Sequence, residues 1–282
     1  MPELPEVETV KRRLQEVVSG LKIIKIQSLH PKSFFGNLTD ILQSTITDIS
    51  RRDKLLRFHL DPGTNLLVHL KMTGQLIYVD DQIRRGGGHP TADWVKEMPG
   101  KHTRVIITFD NDAHLYFNDM RIFGWMKVMN DQAIAREYKK HGPDVIDDQF
   151  TAHYLAQRLR RRTIPIKQAI MINQIVGGIG NIYASEILFV AEIDPRRPAN
   201  QLNRQELKKL VTVSKQVINE GIECGGTTFD GLYVDVAGLA GGYQDKLRVY
   251  GREGETCPGC GGEIQKVKIS GRGTYFCPQC QN

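Results

Sequence analysis

The last 26 residues hold the feature that most constrains the fold. Cys257 and Cys260 form one Cys-x2-Cys pair, and Cys277 and Cys280 form a second pair after sixteen intervening residues. Two such pairs can present four thiolates to one tetrahedral Zn²⁺. Four thiolates leave no open coordination position, so the spacing predicts one structural zinc ion rather than a catalytic one. Two disulfides or unliganded thiols are the alternatives.

The other end of the chain bears on the state of these thiols. MPELPEVETV has no basic region followed by an apolar run and a cleavage site, so no export signal is predicted. We therefore expect a reducing, cytoplasmic compartment, in which clustered cysteines bind metal more often than they form disulfides. No apolar run approaches the roughly 20 residues of a membrane helix.

The length and net charge of the chain say less about its fold and partners than the cysteines do. A chain of 282 residues is long enough for two domains, each with its own hydrophobic core. Lys and Arg outnumber Asp and Glu by 38 to 32, which gives a net charge of +6. This charge favours polyanionic partners only mildly and decides nothing alone.

The first half of the sequence predicts one helix and then a series of strands. Pro5 suits the first turn of a helix, and apolar residues recur along one face as far as Val18. Many short strands in sequence are typical of a β-sandwich or barrel. The segment 84–100, rich in glycine, is predicted to be a mobile surface loop. The predicted strands are Lys22–Leu29, Leu55–Leu60, Asn65–Leu70, Gln75–Val79, Arg104–Phe109, His114–Phe117 and Gly124–Met129.

From Phe150 onward the apolar spacing becomes helical. Asn203 and Glu206 form a capping-box pattern at the start of a helix that ends before Gly225-Gly226. The sequence therefore predicts an α+β protein with four segments. These are a β-rich domain at 1–135, a linker at 136–149, a helical domain at 150–245 and a zinc finger at 246–282.

Two segments of the second half suggest contacts with an anion. PIKQAIMINQIVGGIGNIYASEIL reads as two helices joined by a glycine-rich turn, with Asn181 suited to cap the second helix. An ordinary helical hairpin is the alternative. EIQKVKISGRGTYF, between the cysteine pairs, reads as a β-hairpin with Arg272 at its turn, where it is either solvated or a probe for a phosphate. Basic residues lie just upstream of the helices: Arg158, Arg160, Arg161 and Arg162.

Four motifs together resemble the bacterial formamidopyrimidine-DNA glycosylases. They are MPELPEVETV, NDMRIFGWM, VGGIGNIYASE and VYGREGETC…GRGTYFCPQC, and they occur in the family's order over almost the whole chain. The resemblance implies an N-terminal β-sandwich carrying the first helix, then a helix–two-turn–helix domain and a zinc finger. It also implies a monomer that binds damaged double-stranded DNA in a cleft between the domains.

The resemblance assigns chemistry to the unusual N-terminus. If Met1 is removed, the nitrogen of Pro2 becomes a secondary amine with a pKa near 8, so much of it is a neutral nucleophile at pH 7. It would attack C1′ of a damaged nucleotide, with Glu3 as the catalytic acid, and β,δ-elimination would follow. Glu6 would orient the amine or a water. For Glu6 and Glu8 the alternative is a charge at a helix N-terminus, and we prefer it for Glu8.

The resemblance also assigns residues to DNA. Met72, Arg121 and Phe123 would fill the space left by an extruded base, with core packing or an Arg121–Asp119 salt bridge as the alternatives. The resemblance places Lys54 and Arg272 with Pro2 and Glu3 in the catalytic group. The remaining predicted DNA contacts are His69, Lys167, which would lie near the damaged base unless it is a solvated helix start, and Asn181.

Three positions depart from the family pattern, and two other functions stay open. Ile122 replaces a basic residue, Lys71 stands where Arg is common, and Ile172 stands where Asp is frequent. The alternatives are an endonuclease VIII-type glycosylase for oxidised pyrimidines and a zinc-ribbon DNA-binding protein without catalysis. Leu4 and the RIFG context favour the purine-specific branch.

Overall fold

A computed structural model describes residues 1–89, 97–227 and 241–282. The chain divides into two compact units. The first consists of Met1–Lys139 and the described residues of Cys224–Gly242, and the second of Lys140–Glu223 and Tyr243–Asn282. No helix within these described ranges is long and apolar enough to cross a membrane.

The first unit begins with helix α1, Leu4–Val18, as the sequence predicted. Pro5 lies in its first turn, where a missing N–H costs nothing. Its buried face includes Val7, Val10 and Leu14, and each such side chain contributes about 1.5–3 kcal/mol through burial. The chain leaves the helix at Gly20, which has a φ of 85°.

Two five-stranded sheets share one hydrophobic core with α1. All strand pairs are antiparallel except β2–β10. In spatial order, one sheet contains β1 (Ile23–Ser28), β8 (Thr103–Phe109), β9 (His114–Asp119), β6 (Gly74–Val79) and β7 (Arg84–Gly88). The other contains β2 (Phe34–Phe35), β10 (Trp125–Met129), β5 (Thr64–His69), β4 (Leu55–Asp61) and β3 (Thr45–Arg52). The predicted sandwich and all seven predicted strands are confirmed.

Two parts of this unit differ from the sequence prediction. Strand β7 occupies the start of the segment predicted as a loop, and its glycines allow close approach to β6. A Cβ at Gly86 would lie 2.0 Å from the carbonyl oxygen of Leu76. Residues 90–96 of that predicted loop lie outside the described residues. Strand β3 was missed because a register shift between Ile46 and Asp48 interrupts its alternation.

The second unit contains four helices and one β-hairpin. The helices are α3 (Ala152–Leu159), α4 (Ile166–Ile170), α5 (Asn181–Val190) and α6 (Arg204–Glu223). Helix α2 (Asp131–Tyr138) belongs to the first unit. The capping box of α6 is confirmed, since Asn203 N–H donates to Glu206 and Glu206 N–H donates to Asn203 Oδ1. The hairpin strands are β11 (Gln265–Ile269) and β12 (Arg272–Phe276).

The four-cysteine segment shares a hydrophobic cluster with helix α5. Phe189 packs with Val249 and Ile264 and with the buried cysteines Cys257 and Cys277. By contacts, the finger and the helices therefore form one unit. The boundaries predicted from sequence, at 136–149 and at 246, stay a prediction.

Candidate functional site

The N-terminus places two of the predicted catalytic residues in a buried position. Pro2 is buried, and Glu3 is 2% exposed at the N-cap of α1. The backbone N–H of Glu3 donates to Glu6 Oε2 at 2.7 Å. The other oxygen, Glu6 Oε1, accepts from the backbone N–H of Thr227 at 2.8 Å and from its hydroxyl at 3.0 Å. Glu6 therefore fixes the backbone at Glu3 and holds it to the segment that follows α6.

Gly226 makes this contact possible. Its φ is +84°, and a Cβ at this position would lie 2.9 Å from Glu6 Cγ. Any side chain would thus strain the backbone and push against Glu6. The Glu6–Thr227 contact joins residues that are 221 positions apart. No local sequence pattern could have indicated it.

Glu8 does not act as a simple helix-terminal charge, which corrects the sequence interpretation. Its carboxylate accepts from Arg51 at 2.9 Å and from Arg12 at 3.0 Å, and Lys11 lies 3.3 Å away. Burial alone would raise the pKa of Glu8, but the hydrogen bond and charge of Arg51, with Lys11 and Arg12, lower it below its ordinary value. Arg51 also donates to the carbonyl of Asp53, so this cluster fixes the turn that carries Lys54.

We expect Glu8→Gln to destabilise the protein by about 1–3 kcal/mol at neutral pH, because it removes the carboxylate charge that faces the largely buried Arg51. The pKa of Glu8 is lowered by folding, so its stabilisation is present above its unfolded pKa and is lost as pH falls through the folded pKa. Urea unfolding of the parent and the variant at several pH values should show a larger loss of unfolding free energy at pH 7 than at low pH. Glu16→Gln, an exposed site on α1, is the control. An equal loss at both pH values would contradict the ion-pair role.

Lys54, in the β3–β4 turn, forms a cluster of interacting charges with Lys71 and Lys127. Lys54 is 5% exposed, and Asp53 beside it has a φ of 54°. Burial lowers the pKa of Lys71, and the positive charges of Lys127 and then Lys54 lower it further, while Asp53 opposes them. The charges of Lys127 and Lys54 therefore both repel the Lys71 ammonium. An anion would relieve this repulsion, and Lys71, one of the departures from the family pattern, belongs to the cluster.

His69 lies at the end of β5 next to these lysines. Its Nδ1 accepts a hydrogen bond from the backbone N–H of Lys71 at 3.1 Å. Its ring packs edge-on against Trp125, with the ring centroids 5.8 Å apart. His69 thus shapes the turn that carries Lys71. Its contact with DNA stays a prediction.

Two loops are joined so that the predicted void-filling residues share one surface. Asp119, which is fully buried, accepts from the Thr73 hydroxyl and from the backbone N–H groups of Arg121 (3.1 Å) and Phe123 (2.8 Å). The Thr73 hydroxyl oxygen also accepts from Arg121 N–H at 3.0 Å. One carboxylate therefore holds the Met72 turn and the Arg121–Phe123 turn together.

The core-packing alternative for these residues is wrong. Met72 is 37% exposed and Phe123 is 52% exposed. The alternative role of Arg121, a salt bridge with Asp119, is also absent among the described contacts, because Asp119 binds the backbone of Arg121. The guanidinium of Arg121 instead lies over the Phe123 ring, 4.7 Å from its centroid. An exposed wedge of this composition can enter a base step and hydrogen-bond an unpaired base.

Ile122, between these two residues, has a φ of 56°. A β-branched residue in the left-handed region is strained, and such strain often marks a functional loop. The buried Asp119 carboxylate holds the residues on both sides of Ile122 and enforces this conformation. The turn is therefore held by Asp119 with Ile122 in place of a basic residue.

The helical hairpin in the second unit differs from its sequence interpretation in two respects. Gly180, not Asn181, is the N-cap of α5, and Asn181 is the first helical residue. The Asn181 amide donates to the carbonyl of Gly273 at 3.1 Å and to the Tyr250 hydroxyl at 3.3 Å. The side chain is thus drawn to the β11–β12 hairpin instead of capping its own helix.

Lys167 is not a solvated helix start. It is 1% exposed, and its ammonium donates to Ser185 Oγ at 2.9 Å, Thr274 Oγ1 at 3.1 Å and the carbonyl of Gly273 at 3.2 Å. Lys167 and Asn181 therefore both bind the Gly273 carbonyl, next to Arg272. They fix the hairpin against the helices, and the proximity of Lys167 to a damaged base stays a prediction.

Arg272 lies where the sequence predicted, directly after the hairpin turn. Ile269 pairs with Arg272, and the two turn residues between them, Ser270 and Gly271, have φ values of 48° and 80°. Two positive φ values are typical of the tight type I′ turn. The exposed Arg272 guanidinium is therefore carried on a short, rigid hairpin. It also borders a cavity of about 240 Å³ lined by Lys167 and Ile172 among others.

The four cysteines form a site that fits one zinc ion. Their Sγ atoms all lie within 4.8 Å of one another, with Cys257–Cys280 at 3.8 Å and Cys260–Cys277 at 3.5 Å. A tetrahedron with Zn–S bonds of about 2.3 Å has sulfurs about 3.8 Å apart. These separations exclude disulfides, whose sulfurs are about 2.05 Å apart. The prediction of one structural zinc held by the four cysteines is confirmed.

Backbone amides complete the metal site. Gly259 N–H donates to Cys257 Sγ and Gly262 N–H donates to Cys260 Sγ, each at 3.4 Å. Burial alone would raise the pKa of Cys257, but backbone hydrogen bonds and the neighbouring thiols Cys277 and Cys280 lower it to about 7, whereas the pKa values of Cys277 and Cys280 are raised. Such donors stabilise the thiolate form that binds metal.

The sequence interpretation missed Glu186, which anchors the segment before the finger. Glu186 is fully buried and accepts the backbone N–H groups of Arg248 (2.8 Å), Val249 (3.0 Å) and Tyr250 (2.8 Å). Burial raises the pKa of this carboxyl, and the three donors oppose that effect. The available signal was a single acidic residue inside the apolar run IYASEILFV, because a buried carboxylate needs several partners.

Three family models match the chain in succession. They describe the formamidopyrimidine-DNA glycosylase N-terminal domain (residues 1–126), the H2TH domain of the same enzymes (141–231) and the zinc finger found in FPG and IleRS (254–282). Together they define a protein with a β-sandwich, a helix–two-turn–helix domain and a four-cysteine finger.

Relatives that match along the whole chain belong to the same family as these models. The chain is 39% identical to a formamidopyrimidine-DNA glycosylase of Pelotomaculum thermopropionicum, covering 100% of this chain and 99% of the relative, and 38% identical to one of Listeria monocytogenes, covering 100% of both. A crystal structure of a Lactococcus lactis FPG variant in complex with Fapy-dG-containing DNA matches with a TM-score of 0.89 and 33% identity over 100% of both chains. The chain belongs to the formamidopyrimidine-DNA glycosylase family.

Proposed function

We propose that the protein is a bifunctional DNA glycosylase and AP lyase of base excision repair. It removes oxidised purines, such as 8-oxoguanine and formamidopyrimidines, from duplex DNA. The observation that carries this proposal is the buried Pro2–Glu3 pair, held at the start of α1 by Glu6, in a chain of this family. A proline at the second position supplies a nucleophile only after Met1 is removed.

The proposed reaction uses the chain's own groups. The Pro2 nitrogen attacks C1′, the glycosidic bond breaks, and Glu3 donates the proton that the departing base requires. The Pro2 nitrogen then loses its proton and the C1′–O4′ bond opens, with O4′ taking up a proton, which gives the iminium. The iminium acidifies the C2′ proton, and loss of that proton breaks the C3′–O bond. Loss of the C4′ proton then breaks the C5′–O bond. The nucleotide must leave the stack for this chemistry, and Met72, Arg121 and Phe123 are suited to occupy the vacated space.

The proposed phosphate contacts come from both units. Lys54 with Lys71 and Lys127 supplies positive charge in the first unit, and Arg272 supplies donors in the second. The Asn181 amide, which binds Gly273 and Tyr250, would have to exchange these partners to donate to a phosphate. Zinc acts only by fixing the hairpin that carries Arg272, since four thiolates leave it no site for water. The reaction is proposed to occur in the cytoplasm, where DNA is present and cysteine thiols stay reduced.

Lesion choice is the direct test of this function. Purified protein should cut an 8-oxoguanine·cytosine duplex faster than a thymine glycol·adenine duplex of the same flanking sequence. An undamaged duplex is the control. Preference for thymine glycol would instead assign the chain to the endonuclease VIII type, and cutting of neither would favour a DNA-binding protein without catalysis.

DNA binding should weaken steeply with salt. Each phosphate neutralised by a lysine or arginine releases counterions, so the slope of log K against log salt should be roughly −3 to −5. Anisotropy titrations on an abasic-analogue duplex between low and moderate salt measure it. A variant with Lys54→Ala should have a slope shallower by about one unit. A flat response in the parent protein would contradict the proposed phosphate contacts.

A further inference from the structure

A large groove in the second unit lies between helices α3 and α6 and belongs to none of the residues assigned above. Its volume is about 1080 Å³, and its floor is apolar, formed by Phe150, Leu202, Leu207 and Val211. A smaller cavity of about 360 Å³ shares Leu202 and Leu207 and extends the groove towards Arg160. This volume is in the range of a specific binding site.

The rim of the groove is basic. Arg204, Lys208 and Lys215 line it along α6 at spacings of four and seven residues, which place them on one side of the helix. Within the described part of the chain, none of the lining residues of either cavity is acidic. The rim formed by α6 therefore carries a positive charge beside an apolar floor.

These cations have no acidic partners of their own. Arg204, Lys208 and Lys215 make no ion pair or hydrogen bond with any described side chain. The nearby acids of α6 are bound elsewhere, since Glu206 accepts from Arg197 at 2.6 Å and Glu220 accepts from Arg248 at 3.1 Å. The positive field of the rim is thus available to an external anion.

We propose that this groove docks an acidic amphipathic helix of a partner protein. Apolar side chains at i, i+3, i+4 and i+7 would cover Leu207 and Val211, and glutamates or aspartates beside them would meet Lys208 and Lys215. From Arg204 to Lys215, α6 advances about 17 Å, which matches about three turns of a bound helix. Duplex DNA presents phosphates but no apolar ridge, so the apolar floor favours a peptide over DNA.

The test uses the full chain and two fluorescein-labelled 14-residue peptides of identical composition. One places leucines at i, i+3, i+4 and i+7 with glutamates on the flanks, and the other scrambles that order. Anisotropy should show the patterned peptide binding about tenfold more tightly or better. Lys208→Glu/Lys215→Glu should weaken binding by about tenfold, whereas Lys25→Glu/Lys32→Glu, which makes the same charge change on exposed residues of the first unit, should not.

A second variant tests whether the shape of the groove, apart from its charge, contributes to peptide binding. Thr212 is exposed and lines the groove, so Thr212→Tyr should obstruct it and weaken peptide binding without changing the charge. Equal binding of the patterned and scrambled peptides would contradict helix docking. Loss of undamaged-duplex binding in Lys208→Glu/Lys215→Glu, with peptide binding retained, would make the groove a DNA-backbone site instead.

Discussion

Glu3→Gln should lower base excision by about 10²–10⁴-fold while leaving lesion-DNA binding nearly unchanged. The substitution keeps the size of the side chain and the backbone N–H that donates to Glu6. It removes only the proton that the departing base requires. Because Glu3 is 2% exposed, bulk water has little access to replace that donor.

Single-turnover excision on an 8-oxoguanine·cytosine duplex measures the chemical step, and a gel shift on an abasic analogue measures binding. Glu16→Gln is the matched control, since it removes an exposed carboxylate from the same helix and should leave both quantities unchanged. Near-normal excision by Glu3→Gln would exclude Glu3 as the catalytic acid. Equal loss of binding and excision would indicate a structural role instead.

Cys277→Ser should abolish tight zinc binding and with it most of the DNA affinity. Structural zinc sites of this kind contribute about 10–16 kcal/mol of binding free energy, which stabilises the folded segment. Cys277 also packs against Phe189 and Ile264, so its loss affects the core that joins the finger to α5. The first unit has a separate core, and its sandwich should stay folded.

Arg272→Ala separates the metal's structural role from the DNA contact. It should retain one zinc per chain yet lose about 10–100-fold in DNA affinity, as expected for one charge-assisted hydrogen bond. Lys268→Ala, on the neighbouring strand, should have a smaller effect. Metal analysis measures the zinc content, circular dichroism measures folding, and gel shifts measure DNA affinity. If the zinc-free variant binds lesion DNA as tightly as the parent, the finger lies outside the recognition surface.

Short-range patterns in the sequence predicted the elements that depend on neighbouring residues. The paired cysteines, the apolar stripe of α1 and the Asn203–Glu206 cap each need only a few adjacent positions, and all three are present. The glycines before residue 89 suggested a loop, because the sequence does not show that β6 approaches closely enough to require them. The glycine-rich composition of this segment was misleading, because pairing with β6 makes it a strand.

Long-range contacts at the site could not be predicted in the same way. A solvated helix start was the alternative considered for Lys167, but its ammonium binds Ser185 and Thr274, which are distant in sequence. Asn181 looked like a helix cap, but Gly273 competes for its amide. A salt bridge with Arg121 was the alternative considered for Asp119, but its carboxylate binds backbone N–H groups. In each case the residue type indicated a polar contact, but the partner is distant in sequence or belongs to the backbone, so only the structure identifies it.

The central claim is that Pro2 forms the covalent intermediate. Borohydride reduction during reaction with 8-oxoguanine DNA should trap a stable protein–DNA adduct, and peptide mapping should locate it on the N-terminal peptide after loss of Met1. Intact mass before the reaction establishes whether Met1 has been removed. An adduct at Pro2, with Glu3→Gln greatly reducing its formation from 8-oxoguanine DNA, is the predicted result. An adduct on a lysine with Pro2 unmodified, or no adduct on DNA that the protein cuts, would contradict it.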